Sequence, residues 1–413
     1  VLIEQGRDVE SIRLPRWGRV VRAVGVVPWL VLDPDGVPVE PVRRFLADFV
    51  ARGNRESSVR SYAYDLLRWW RWLGVVGVEW DRASASEVRD LVLWLGYAVK
   101  TGNMPRTVSA ATAGTVNPIT RKRNLGDGYG PRTVRHSNAV LRSFYQYWLD
   151  CGVGLVNPVP LDRGGRRSHA HHNPLDPFGP QGRVRYNPRV PKPTPREVSD
   201  ERWRELFGVL RCNRDRAMLA VAVSSAARAS ELLGMTGADV DWGDQRVRVH
   251  RKGSGVEQWL PASSEAFVWL MLYLADLRTP IEPAQPLWWT SRRRDHGDGL
   301  RLRPVSYEAL RAVIRRANAA LGTNWSMHDL RHTCALRMAR DENLSLKDVQ
   351  VILGHAHLST TADIYLVEEQ ARVISRVSEH LAARRETARE STVRVAEGYD
   401  AEDLSVLIGD LLS

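Results

Sequence analysis

The segment LGHAHLSTTADIY, Leu353 to Tyr365, holds two histidines, a run of hydroxyl residues and a terminal tyrosine. These are residue types able to move protons or to act as a nucleophile. Gly354 stands where a helix over about 346–353 should stop, the place favoured for a left-handed residue. His355 then falls on a turn rather than on a packed face. Alone, such a histidine is ordinarily structural, so the weight rests on its company. Upstream, SMHDLRHTCALRMA sets His328 and Arg331 three residues apart, neighbours on one helical face, with His332 beside them. Taken alone this reads as a surface helix carrying a basic pair. Further upstream, SSAARASELLGM presents Arg228 at the start of a helix after a small turn, with Glu231 three residues on to orient the guanidinium. An arginine in an otherwise apolar stretch needs a partner, because an unpaired buried charge is costly. That partner is either Glu231 alone or a substrate phosphate. Lys252 lies at the turn of QRVRVHRKGSGVEQWLPA, an alternating pattern broken at Gly253-Ser254-Gly255 that predicts a short hairpin. It stands out because the lysines are few: Lys100, Lys122, Lys192, Lys252 and Lys347, against an excess of arginine.

The periodicity supplies the elements that must hold these residues. Residues 1–40 read as a β-like arm, with a turn at Asp33-Pro34-Asp35-Gly36 between apolar stretches. Over 41–160 helical spacing takes over: Val42, Phe45, Leu46, Phe49 and Val50 in one helix, then Val59, Tyr62, Leu66, Trp69 and Leu73 in a second that begins near Ser57 or Ser58. A third helix follows Ser86 with Val88, Leu91, Val92 and Leu95. A fourth starts at Thr133 with Val140, Leu141, Phe144 and Trp148. Between the third and fourth, about 101–130, a Gly-, Thr- and Arg-rich insertion reads as an extended loop. Residues 161–196 are dense in proline, glycine and arginine and read as a basic linker. A second domain spans 197–385, with helices near 200–211, 214–225, 263–278, 306–320, 327–340 and 346–353 and the hairpin that carries Lys252. Residues 386–413 end in AEDLSVLIGDLL, an apolar tail suited to docking in cis or in trans. The expected fold class is mainly α with a small β-hairpin or sheet.

Composition narrows the setting. The 413 residues carry a formal charge of +11 and a sequence pI of about 9.9, which points to a polyanionic partner such as nucleic acid. Cys151, Cys212 and Cys334 are odd in number and far apart, against a disulfide framework or a cysteine-rich zinc site. His169, His171 and His172 offer metal-ligand types but sit in a Gly/Pro stretch without cysteines, so no metal site is assigned there. No apolar run is long enough to span a bilayer and no signal peptide is apparent. A cytoplasmic location is expected.

Together the motifs are more specific than their parts. Arg228 in A-R-x-S-E-L-L-G, then H-x-L-R-H-T, then L-G-H followed ten residues later by Tyr365, resemble in order and spacing the tyrosine recombinase (phage integrase) family. The likeness covers about 197–385. It extends more weakly to the first domain, where SSVRSYAYDLLRWWRWL and RTVRHSNAVLRSFYQYWL look like helices of that family's SAM-like core-binding domain. The resemblance implies a mixed α/β catalytic domain behind a helical DNA-binding domain. It also implies a catalytic set falling on Arg228, Lys252, His328, Arg331, His355 and Tyr365, with Glu231 and His332 in support. In that set the two arginines and His355 stabilise charge on a scissile phosphate. Tyr365 attacks to form a 3′-phosphotyrosine with His328 as candidate base, and Lys252 protonates the leaving 5′ oxygen. No metal, ATP or other cofactor is implied. The turn before Arg228 is Ser-Ala-Ala where the family often has Thr-Gly-Leu, a departure that bears on packing more than on chemistry.

The implied partners are double-stranded DNA recombination sites, bound by a homo-tetramer on two duplexes, with accessory DNA-bending proteins as a candidate addition. The protein would be nucleoid-associated when DNA-bound. DNA contacts are expected at helix N-termini and adjacent basic residues of the first domain: Arg55, Ser57, Arg60, Arg132, Thr133 and Arg135. The long linker and insertion favour an integrase or transposase of a mobile element. Rival readings are a resolvase of replicon dimers, a type IB topoisomerase, and a regulator that binds DNA without cutting it.

Overall fold

The computed structural model describes residues 7–100, 111–162, 183–191, 196–293, 295, 297, 299–354, 378–379 and 381–382. His355, Tyr365, the histidines at 169, 171 and 172 and the tail 386–413 lie outside the described residues. The chain divides into two units, Val1–Lys192 and Pro193–Ser413. None of the described helices is long and apolar enough to cross a membrane.

The first unit opens with an antiparallel pair, β1 (Arg19–Arg22) and β2 (Trp29–Leu32), with Arg19 opposite Leu32 and Arg22 opposite Trp29. The chain therefore turns back between Ala23 and Pro28. The expected turn at Asp33–Gly36 lies after the hairpin: the Asp33 carboxylate accepts from the Asp35 and Val37 amides, and Leu32 bridges to Pro38. The chain reverses at both places, and the first reversal, through the exposed Val24 and Val26, is the one the sequence did not announce. Four helices follow: α1 (Glu40–Ala51), α2 (Glu56–Val76), α3 (Ala85–Tyr97) and α4 (Pro131–Asp150). Their apolar stripes meet in a core rich in rings, with Phe45, Trp69, Trp72, Phe144 and Tyr145 all fully buried. The buried Tyr145 hydroxyl is satisfied by the Trp69 indole N–H at 3.0 Å and by donating to the Trp80 carbonyl at 2.6 Å.

Part of the expected loop is built. Val116 bridges to Arg123 around a turn in which Asn117 Oδ1 accepts from the Ile119 and Thr120 amides. The Lys100 amide donates to Asp127 at 2.7 Å. The asparagine supplies the Asx-type bonds that a composition reading of the segment overlooks. The described ends of the expected linker also pack on this unit. β3 (Leu161–Asp162) pairs with β4 (Arg183–Val184), and Asn138 Nδ2 donates to the Tyr186 carbonyl at 3.2 Å and to Asn187 at 3.0 Å.

The second unit is built around α6 (Asn213–Ser225), buried along residues 217–222. It packs against α8 (Ser264–Ala275) and α10 (Met327–Arg340). A helix that is apolar on most sides belongs at the centre of a domain. Before it runs α5 (Asp200–Gly208), capped by the Ser199 hydroxyl as the sequence predicts. After it come α7 (Ala229–Leu233), the three-stranded antiparallel sheet β5 (Val240–Asp241), β6 (Arg246–His250) and β7 (Glu257–Pro261), then α9 (Tyr307–Leu321) and α11 (Leu346–Leu353). In the β6–β7 hairpin Val247 faces Leu260 and His250 faces Glu257, which puts residues 251–256 in the connecting turn. The short β5 is a strand that two residues of pattern do not announce.

Candidate active site

The site is assembled where four segments of the second unit meet: the α6–α7 turn, the β6–β7 hairpin, α10 and the end of α11. α6 stops at Ala226, which takes a left-handed conformation at φ 55 although fully buried. That conformation is unusual for a residue with a Cβ. It turns the chain sharply so that Arg228 starts α7. The Glu231 carboxylate reaches back to accept from the Arg228 amide at 2.9 Å and from its guanidinium at 2.8 Å. The Arg228 side chain keeps 27% of its surface exposed.

Glu231 also serves the hairpin. Its second contacts are the Lys252 amide at 3.0 Å and Arg251 Nη1 at 3.2 Å. Burial on its own would raise the pKa of this carboxylate, but the amides of Arg228 and Lys252 and the guanidinium of Arg228 outweigh it, and the pKa lies below the ordinary carboxylate range. Glu231 is therefore a fixed negative charge that gathers three positive residues.

Arg331 converges on the same place from α10. It is 3% exposed and donates to the Ala226 carbonyl at 2.5 Å and to the Leu353 carbonyl at 2.5 Å. The plainer reading of α10 as a surface helix with a basic pair is thus overturned for Arg331. Met327, Leu330 and Cys334 form the buried stripe of α10, and Arg331 lies within that stripe. His328, by contrast, is exposed, with its ring 4.2 Å from that of His332. α10 is itself held by Thr333 Oγ1, which accepts from the Val198 amide at 2.9 Å, and by Cys334 Sγ, which donates to the Ser224 carbonyl at 3.2 Å.

α11 ends at Gly354 with φ 59, the left-handed residue the sequence predicts. Three successive carbonyls at its end are taken by three side chains. Gln258 donates to Val351 at 3.0 Å, Arg251 to Ile352, and Arg331 to Leu353. The structure therefore brings together Arg228, Glu231, Lys252, Arg331 and the last turn of α11, while the His328–His332 pair lies on the same helix as Arg331.

Sequence reasoning missed Arg251 and Gln258. The signal was present: Val247 and Val249 are the buried positions of β6, so period two carries Arg251 inward. An arginine at an inward position demands partners.

In the first unit α2 and α4 run parallel, since Asp65 pairs with His136 and Trp69 with Tyr145. Their N-termini, and with them Arg55, Ser57, Arg60, Arg132, Thr133 and Arg135, lie at the same end. Both helices start one or two residues earlier than expected, and neither first turn has a side-chain cap. Arg60 stacks over Trp29 at 5.0 Å. The arm, given no role by its sequence, lines a groove of about 1090 Å³ with Arg13, Arg16 and Arg19, opposite Arg68, Arg71 and Lys100.

The class defined by this fold and site is that of DNA breaking-rejoining enzymes. Residues 206–372 match the phage integrase family and residues 42–116 the phage integrase N-terminal SAM-like domain, between them more than half of the chain. The chain belongs to the phage integrase, or tyrosine recombinase, family, whose members catalyse DNA cleavage and rejoining. It is 26% identical to tyrosine recombinase XerD of Pseudomonas aeruginosa, over 80% of this chain and 94% of that protein. To transposase A from transposon Tn554 of Staphylococcus aureus it is 22% identical, over 82% of this chain and 90% of that protein. Among solved structures, the Tn1549 transposon integrase in complex with circular intermediate DNA superposes with a TM-score of 0.51 at 14% identity, covering 82% of this chain and 98% of that one. A lambda integrase dimer bound to a COC′ core site gives 0.50 at 14% identity, covering 78% and 96%.

Proposed function

We propose that the protein is a site-specific recombinase of a mobile element, an integrase or transposase, which cuts and rejoins DNA through a 3′-phosphotyrosine at Tyr365 without metal or ATP. The observation that supports it most is the gathering of Arg228, Lys252 and Arg331 around Glu231 and the end of α11. Attack on a phosphodiester meets an anionic phosphate, so its rate depends on positive groups held in place before reaction. Arg228 offers the partly exposed guanidinium. Arg331, its plane fixed by two carbonyls, adds a second charge that no working pH removes. His355 donates a further hydrogen bond to the phosphate. A phenol with an ordinary pKa of about 10 is a poor nucleophile at neutral pH, and His328, supported by His332, takes its proton. As the Tyr365 oxygen bonds to phosphorus, the bond to the 5′ oxygen breaks and that oxygen receives a proton from Lys252. A 5′ hydroxyl of a second strand reverses the step, so no nucleotide cofactor enters.

The chain's partners on this reading are duplex recombination sites, two held by a homo-tetramer. The six residues at the N-termini of α2 and α4 make phosphate contacts that fix register. Its likeness over most of its length to a transposase favours the mobile-element role. The comparable likeness to XerD supports a second reading, resolution of replicon dimers by the same chemistry.

Nicked duplexes with a randomised centre, trapped covalently and resolved on a denaturing gel, test the enzyme and recover its site together. A protein–DNA adduct that forms in EDTA and disappears in Tyr365→Phe is expected. Retained duplex binding with no adduct would sink the proposal and leave a non-cleaving regulator. Exchange between two recovered sites separates a recombinase from a topoisomerase. Repeats at the ends of the DNA that encodes the chain separate a mobile element from a resolvase.

A further inference from the structure

We propose that Arg251 is the positioning residue of the general acid: it sets the Lys252 ammonium by tying the base of the hairpin to α7 and to the last turn of α11. The inference rests on the reading of Lys252 as the acid and adds what holds it.

Arg251 is 4% exposed, and its three nitrogens go to three different segments. Nη1 meets Glu231 at 3.2 Å, Nε donates to Gln258 Oε1 at 2.8 Å, and Nη2 donates to the Ile352 carbonyl. Its main chain closes the turn, with the Arg251 amide donating to Val256 at 2.8 Å and the Gly255 amide donating to Arg251 at 2.9 Å. The next residue is Lys252, whose amide donates to Glu231 while its side chain is exposed. The backbone of Lys252 is thus fixed on its N-terminal side by a buried guanidinium and at its own N–H by a carboxylate. After it come Gly253 and Gly255, at φ 112 and φ 74, where a side chain would meet nothing within 4 Å. A lysine ammonium rides on a flexible four-carbon stem. Where it comes to rest therefore depends on how firmly its Cα is placed, and Arg251 is what places it.

Gly354 belongs to the same arrangement. A Cβ there would lie 2.9 Å from Arg251 Nε, closer than real Cβ atoms approach, and a tight 3.1 Å from Cζ, on a backbone already left-handed at φ 59. A methyl at the end of α11 would push the guanidinium, and through it the hairpin. A substitution on α11 should therefore be felt as a defect of the acid.

The chemistry offers a readout that general loosening of the fold would not produce. In cleavage the phenol oxygen bonds to phosphorus, the phosphorus–O5′ bond breaks, and O5′ takes the Lys252 proton. With sulfur in the bridging 5′ position the leaving group is a thiolate. Thiols have an ordinary pKa of about 8.5, so this group departs without a proton and the acid becomes dispensable.

The experiment uses the full chain and duplexes recovered by covalent trapping, made with oxygen or sulfur at the scissile position. With oxygen, Lys252→Ala should slow cleavage about 100-fold or more, and Arg251→Met and Gly354→Ala about 10- to 100-fold. With sulfur all three should return to within a few-fold of the unsubstituted protein, while duplex affinity is unchanged throughout. Arg251→Lys, which keeps the charge against Glu231 without the three-way fork, should lie between. If sulfur rescues Lys252→Ala but leaves Arg251→Met and Gly354→Ala slow, Arg251 is scaffold and the inference is overturned while the acid stands. If sulfur rescues none of them, the acid assignment falls and takes the inference with it. Should Arg251→Met fail to fold, Gly354→Ala and Arg251→Lys carry the same comparison.

Discussion

In the first unit the deepest positions hold rings: Phe45, Trp69, Trp72, Phe144 and Tyr145 are all below 1% exposed. The charges it buries, Asp90 at 4% and Asp65 and Glu87 at 5%, are carboxylates, whereas the second unit also buries cations, Arg331 at 3% and Arg251 at 4%, beside Glu231 at 3%. The ring core is specified by shape and volume and tolerates chemical approximation. The charged cluster is specified by partners: each donor ends on one oxygen, and a change that alters no volume can undo it. A binding module that needs only to present two helix N-termini is served by the first solution. Charge stabilisation at a phosphate needs the second, because preorganised dipoles and charges act only where they are held still.

An isosteric change should therefore hurt one unit far more than the other. Glu231→Gln keeps shape and removes the charge between Arg228 and Arg251. Breaking a buried, hydrogen-bonded ion pair costs about 3–5 kcal/mol, so urea unfolding of the second unit should shift by that order and adduct formation should be lost. The pair gives the pH dependence a sign. A carboxylate held below its ordinary pKa contributes stability above the unfolded value, and that contribution is lost as pH falls through the folded one. The difference between Glu231→Gln and the unsubstituted protein should accordingly close only in acid. If Glu231→Gln unfolds normally and still forms adduct, the charged cluster is not what organises the site.

The ring core is broken by volume. Phe144 packs against Phe45 at 5.5 Å and Trp70 at 5.5 Å between ring centroids. Phe144→Ala should destabilise the first unit by about 3–5 kcal/mol, and Phe144→Leu by much less. Equal losses in calorimetry for the two variants would mean that this core too depends on specific partners.

The contrast also governs how far sequence reaches. Helical spacing placed α1, α3 and α11 nearly to the residue, because an apolar stripe is written locally: Val42, Phe45, Leu46 and Phe49 are the buried residues of α1. Arg228 and Arg331 were legible through motif order, and Gly354 through its place at a helix end. What was not legible arises between segments distant in sequence. Nothing near Gln258 or Ile352 says that a single guanidinium joins them to Glu231. No glycine announces the left-handed Ala226, and the reversal at 23–28 is set by the pairing of β1 with β2 and adds to the expected turn at Asp33–Gly36. Arg251 was the recoverable case, through strand parity.

A smaller effect is expected at the exposed end of the first unit. Arg132 is exposed in the first turn of α4. If it holds one phosphate, Arg132→Ala should weaken binding about equally across sequences and reduce the slope of log K against log salt by about 0.9. An unchanged slope would move the DNA surface away from these helix ends.

The smallest and most diagnostic effect concerns a polar pair that links two helices of the ring-built unit. His136 Nδ1 lies 2.7 Å from Asp65, which also holds Arg68 at 2.5 Å. The hydrogen bond to Asp65 raises the His136 pKa, burial opposes it, and the Asp65 charge adds to it. With the folded value above the ordinary one of about 6.5, the pair's stabilisation is complete below that pH and fades as pH rises through the folded value. His136 is partly exposed, so solvent screens the interaction and the shift in melting temperature should be slight. NMR titration of the His136 ring should nevertheless give a pKa above the ordinary value, returning toward it in Asp65→Asn. The melting difference between the unsubstituted protein and His136→Gln should shrink from mildly acidic to alkaline pH. A ring that titrates normally would mean that Asp65 is engaged by Arg68 alone. The parallel alignment of α2 and α4 would then rest on ring packing and on the Trp69–Tyr145 hydrogen bond, without help from charge.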